Sequence, residues 1–143
     1  MKIHVSRASD APFHFIATND TGNEVHLDGS PDIGGKNLGT RPMQMLLTSL
    51  AGCTGIDVVM ILDKQRQLYD TFDMDVEGER IEEAQAKPFS HITIHFNFTG
   101  QLDPGKAQRA IELSMEKYCS VGLTINKAAK IDYTLKVNGQ KYV

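Results

Sequence analysis

The chain carries two cysteines, Cys53 and Cys119, and they are the residues best suited to redox chemistry. Cys53 stands in the run LLTSLAGCTGIDVVMIL, between Gly52 and Gly55. On an ideal helix Ser49, Cys53, Asp57 and Met60 share one stripe, so the thiol faces a mixed surface rather than a purely apolar one. Each of the two glycines costs a helix about 1 kcal/mol, a cost that close approach of another backbone or of a ligand can offset. A buried free cysteine can equally act as a small hydrophobe. The residues alone leave a working thiol and an inert one both open.

Cys119 is expected at the carboxyl end of a second helix, where the helix dipole disfavours a thiolate. If the two thiols work together, Cys53 is the attacking one and Cys119 the resolving one. A Cys53 thiolate needs a cation, and its own helix supplies none within two turns. Arg7, on the first expected strand, is the leading candidate, since guanidinium is the natural partner for such a charge. Arg41 lies roughly 18 Å of helix rise before Cys53, which suits the Cys53 of a partner subunit better than its own. Asp57, the acid inside this helix, reads either as hydrogen-bonded structure or as a polar site wall.

A metal has little support from spacing, because the two cysteines lack the CxxC separation of zinc sites. His91 and His95 lie roughly 13 Å apart along one strand and cannot share an ion. His4, His14 and His26 fall on different strands and could in principle converge, with a polar sheet face as the default reading. Met43, Met45, Met60 and Met74 read as core filler.

These residues must be held by a chain of 143 residues with a net charge of -3. That length fits one domain, residues 1–143, able to bury about two-thirds of its surface. The charge and the lack of a Lys/Arg cluster argue against nucleic acid or an anionic membrane as partner. Met1 leads straight into an alternating run with no secretory pattern, which points to the cytoplasm, where thiols stay reduced. Residues 43–62 approach the length of a membrane span. Gln44, Thr48, Ser49, Thr54 and Asp57 interrupt them, and a core helix is the better reading.

Three alternating runs, IHVSR, FHFIAT and EVHLD, predict strands, the last two joined by a hairpin at Asn19–Asn23. SPDIGGKNLGT is a loop. Pro42 opens a helix expected to reach about Arg66, roughly 35 Å long and wrapped on most sides because its apolar residues go nearly all round. FDMDVEGER and HITIHFNF predict two strands of an antiparallel sheet with one dry face. Asp103-Pro104 starts the second helix, expected to end near Cys119 with Gly122 as its stop. Residues 131–137 form the last expected strand. The fold class is α+β, two main helices packed against antiparallel sheet.

RPMQMLLTSLAGCTGIDVVMIL, followed far downstream by KYCSVGLTI, resembles the OsmC/Ohr superfamily of osmotically inducible and organic-hydroperoxide-resistance proteins. The likeness is nearest to its YhfA-like branch. It implies an intertwined homodimer in which one long central helix of each chain packs between sheets, with two sites at the interface. It also implies a thiol peroxidase, active in stress defence, acting on organic hydroperoxides or holding another small apolar ligand. On that template Cys53 becomes a sulfenic acid and condenses with Cys119 to a disulfide, which an external lipoyl-type dithiol reduces. No bound cofactor, metal or haem is implied. Typical members carry Glu directly after the helix-opening proline to orient the activating arginine, and this chain has Met43. The YhfA-like branch has Glu one position later, where this chain has Gln44, which with Ser49 and Asp57 is assigned to the site wall. A binding or redox-sensing protein of the same fold is the alternative.

Overall fold

The structure is a computed structural model describing residues 1–143. The chain divides into two compact units, Met1–Leu46 and Leu47–Val143, each described here by itself.

The N-terminal unit is a three-stranded antiparallel sheet, β1 (Ile3–Arg7), β2 (Phe15–Asn19) and β3 (Glu24–Leu27), in that spatial order. Asn19 makes the β2–β3 turn. Its side-chain oxygen accepts from the amides of Thr21 (3.0 Å) and Asn23 (2.9 Å), and Gly22 takes the left-handed φ of 84°. Pairing puts Ile3, Val5, Arg7, Phe15, Ala17, Val25 and Leu27 on one face. Ile3, Val5, Phe15 and Val25 are exposed there. His14 and His26 do converge, Nε2 to Nδ1 at 2.8 Å, and Asp10 holds the other His14 nitrogen at 2.7 Å. The loop that follows contains a 3-10 turn (Pro31–Ile33) and is organised by buried Asp28. Its carboxylate accepts from the amides of Gly29, Lys36 and Leu38.

Helix α1 (Pro42–Lys64) starts at the expected proline. Gln44 accepts the Arg41 amide at 3.0 Å, the reciprocal half of a capping box. Along the part of α1 in the C-terminal unit, only a single stripe is buried: Leu50, Thr54, Gly55, Val58 and Leu62. Ile56 (64% exposed) and Met60 (52% exposed) lie on the opposite side. The expectation of a helix wrapped on most sides is therefore corrected for the single chain. The helix is long and apolar enough to cross a membrane by composition, and 28% of its most apolar window is buried.

The C-terminal unit is built on a four-stranded sheet, β4 (Thr71–Arg80), β5 (Phe89–Thr99), β6 (Lys130–Val137) and β7 (Gln140–Lys141). Ile92, Ile94, Phe96 and Phe98 of β5 are buried, each contributing about 1.5–3 kcal/mol. On the other face His91 bonds Asp132 (2.8 Å) and His95 bonds Thr134 (2.8 Å), the expected polar face. The expected antiparallel sheet is mixed, because β5 pairs β6 in parallel. A parallel pair needs a long crossover, and the helical segment between these strands supplies it.

That crossover also differs from the single helix expected there. Helix α2 (Pro104–Leu113) is capped as expected, Asp103 accepting the amides of Gly105 (2.8 Å) and Lys106 (3.1 Å). It passes into a π-helical turn (Ser114–Tyr118), breaks at Cys119, and restarts as α3 (Ser120–Ile125). Gly122 lies inside α3 rather than ending a helix. Cys119 is extended (φ -70°, ψ 95°) and serves as the N-cap of α3, a place usually taken by Ser, Asp or Asn.

Candidate active site

Within the C-terminal unit the fold brings Cys119 to Cys53 and Asp57, two side chains far from it in sequence. The sulfurs of Cys53 and Cys119 and a carboxylate oxygen of Asp57 all lie within 4.8 Å of one another. Both thiols are free. Cys53 and Asp57 come from successive turns of α1, at the seam between its buried stripe and its exposed apolar face. Cys119 comes from the break before α3.

The break explains how Cys119 reaches α1. Its amide bonds the Ser114 carbonyl at 2.8 Å, closing the π turn, and the extended backbone then turns the side chain inward. Cys119 Sγ accepts the Gly122 amide at 3.2 Å and the Thr54 hydroxyl at 3.4 Å. A side chain at Gly122 would place its Cβ 3.3 Å from that sulfur, so the glycine lets α3 pack this closely. Thr54 also donates to the Leu50 carbonyl at 2.9 Å, sharing one hydroxyl proton between two acceptors. Burial pushes the Cys119 thiol up from its ordinary value. The Thr54 and Gly122 donors pull it back, and neighbouring Cys53 adds to the rise. At neutral pH Cys119 is a protonated thiol. The expected helix C-terminus is thus replaced by two donors aimed at the sulfur, opposed by complete burial.

Asp57 is held from the other side. Buried Ser114 donates its hydroxyl to Asp57 Oδ2 at 2.9 Å, which leaves Oδ1 free of that bond. Asp57 is thus hydrogen-bonded within the fold, one of the two readings its place on the helix allowed. Beside it runs a cleft of about 600 Å³ lined by Asp57, Met60, Ile61, Lys64, Gln65, Leu113 and Tyr118. Gln65 Oε1 is buried there without a partner. Cys119 borders a second cavity of about 310 Å³, with Leu50, Thr54, Met115, Leu123 and Ile131 among its walls.

The other expected site residues are placed as follows. Ser49 is exposed one turn before Cys53 on α1. Gln44 caps the start of α1, and Arg7 is exposed at the end of β1, both in the N-terminal unit. Arg41 is tied within its own unit to the Asn37 side chain and to the carbonyls of Gly39 (3.1 Å) and Asp28 (3.4 Å). Of the glycines flanking Cys53, Gly55 meets β4 closely, its Cβ position 2.7 Å from Met74 Cε, whereas Gly52 faces open space. Sequence reasoning missed Thr54 and Ser114. Thr54 adjoins Cys53 inside an apolar helix, a signal that was available; Ser114 carried none.

Residues 34–134 match the family model described as OsmC-like protein. The chain is 41% identical to Protein YhfA of Escherichia coli K12 over 126 residues, spanning 86% of this chain and 89% of that protein. It is similar in fold to a hypothetical protein of Aquifex aeolicus VF5, with a TM-score of 0.77, 29% identity, and 96% of each chain covered. A second solved structure, the organic hydroperoxide resistance protein OhrB of Bacillus subtilis, has a TM-score of 0.65 at 21% identity. That match covers 95% of this chain and 98% of the other, and it bears on the fold alone.

Proposed function

This chain belongs to the OsmC-like family, and from that membership we propose that it is a thiol-dependent peroxidase for organic hydroperoxides. The observation that carries the reading is the approach of the Cys53 and Cys119 sulfurs to within 4.8 Å. Closing them to a bond of about 2.05 Å takes an approach of under about 3 Å.

Cys53, the less buried thiol, attacks as thiolate the outer oxygen of the hydroperoxide. The O–O bond breaks, the alcohol leaves after taking up a proton, and Cys53 becomes a sulfenic acid. Cys119 then loses its proton and attacks the Cys53 sulfur, expelling hydroxide, which leaves as water, and forming the disulfide. An external dithiol of the lipoyl type restores both thiols by exchange and is itself oxidised to a disulfide. Arg7 is assigned as the cation that favours the Cys53 thiolate.

The working form is a homodimer in the cytoplasm. Supporting this, one side of α1 exposes Ile56 and Met60, and one face of the N-terminal sheet exposes Ile3, Val5, Phe15 and Val25. Apolar areas of this kind mark interaction surfaces. Arg7 lies on that same sheet face.

A second reading, a binding or redox-sensing protein, is favoured by Met43, which stands where typical family members carry the Glu that orients the activating arginine. The two separate on turnover. Reduced protein supplied with cumene hydroperoxide and dihydrolipoamide should consume peroxide catalytically, and Cys53→Ser should not. Peroxide loss no faster than in protein-free controls, with Cys53 alkylated no faster than a small free thiol, would establish the binding reading instead.

A further inference from the structure

Cys53, Asp57 and Cys119 invite a second use that the peroxidase reading neither needs nor supplies. The geometry points to a site for a zinc-class divalent cation in the reduced protein, held by the two sulfurs and one oxygen of Asp57. The three atoms lie within 4.8 Å of one another. Tetrahedral zinc with bonds of about 2.3 Å to sulfur sets two sulfurs roughly 3.8 Å apart, so contraction of about 1 Å or less brings the two sulfurs into register. Two thiolates and a carboxylate select a thiophilic ion over magnesium or calcium.

The surroundings fit as well as the ligands. Ser114 fixes Asp57 through Oδ2 and leaves Oδ1 for the ion. The Gly122 amide and the Thr54 hydroxyl donate to Cys119 Sγ, as donors commonly do to a metal-bound thiolate. Burial keeps Cys119 protonated in the metal-free protein. The ion removes that obstacle, since coordination itself drives the thiol proton off to solvent. Three protein ligands leave a fourth position open, as in catalytic rather than structural zinc sites. Asp57 borders the 600 Å³ cleft and Cys119 the 310 Å³ cavity, so water or a small ligand can reach it. Spacing along the chain hid the site because its ligands come from α1 and from the α3 break, which the fold alone brings together. An ion seated there blocks both thiols, making metal and peroxide competitors for the reduced protein.

The probe is cadmium, which reports thiolate ligation by an ultraviolet charge-transfer band. Reduced, chelator-treated protein is titrated with cadmium and the band is followed; zinc is then used to displace it. The expected result is saturation at one ion per chain. The band should be lost in Cys53→Ser, in Cys119→Ser, and in wild-type protein carrying the oxidised pair. Asp57→Asn should weaken binding by about tenfold or more. No band in the reduced wild type overturns the site, as does a band surviving in either cysteine variant or an affinity untouched by Asp57→Asn. The oxidised wild type keeps the test decisive if a variant fails to fold. Peroxide is absent from this titration, and turnover is measured in chelator, so either reading can fail while the other stands.

Discussion

The hydroxyl of Thr54 points at the sulfur of Cys119 from 3.4 Å, joining residues 65 positions apart in the sequence. Thr54 adjoins Cys53 on α1, so this contact holds the second thiol beside the first. It is also one of two donors that offset the burial of Cys119. Thr54→Val keeps the shape and removes the donor. The Cys119 thiol then rises further, and the step in which it attacks the oxidised Cys53 slows by about fivefold, equivalent to about 1 kcal/mol. Trapping the Cys53 sulfenic acid with dimedone checks this: the adduct should accumulate in the variant more than in the parent.

Ser114 ties the π turn to α1 through Asp57. Ser114→Ala removes a buried donor to a carboxylate and is expected to cost about 1–2 kcal/mol in a denaturant titration, with the slope unchanged. An unchanged midpoint would mean that Asp57 is held by something else.

Cys119 also sets a pH dependence. Burial raises its folded value above the unfolded one, so the fold favours the neutral thiol. The stability this gives is complete below the unfolded thiol value of about 8.5 and is lost as pH rises through the higher folded value. Between about pH 8.5 and pH 10, reduced wild-type protein should lose stability relative to Cys119→Ser. Parallel denaturation midpoints for the two across that window would contradict the assignment.

Ile56 is 64% exposed on the outer side of α1. Ile56→Glu places a charge where the proposed second copy sits and removes little packing from its own chain. It should convert a dimer to a monomer by light scattering while leaving the far-ultraviolet spectrum intact. A dimer that survives the substitution would move the interface off this face.

Local signals in the sequence located most elements. The alternation in HITIHFNF marked both faces of β5, and Asp103-Pro104 marked the start of α2. The Asn19–Asn23 stretch marked the hairpin, because one side-chain oxygen and one glycine suffice to make the turn. What stayed hidden is non-local. The parallel pairing of β5 with β6 depends on how the crossover packs, which no strand pattern encodes. The break at Cys119 was obscured because Gly122 reads as a helix stop, whereas it admits a close sulfur and donates to it. The stripe of Ser49, Cys53, Asp57 and Met60 was legible from helical phasing. Phasing could not say that Cys119, from the break before α3, would come to lie beside Cys53 and Asp57.

In the proposed peroxidase cycle, Cys53 and Cys119 exchange between two thiols and one disulfide as hydroperoxide is reduced. This exchange is tested most directly by adding one equivalent of cumene hydroperoxide to reduced, chelator-treated protein and mapping the peptides by mass spectrometry. Stoichiometric loss of peroxide and one intramolecular Cys53–Cys119 disulfide, reversed by dihydrolipoamide, are expected. Intact peroxide with both thiols still free would contradict the proposed cycle.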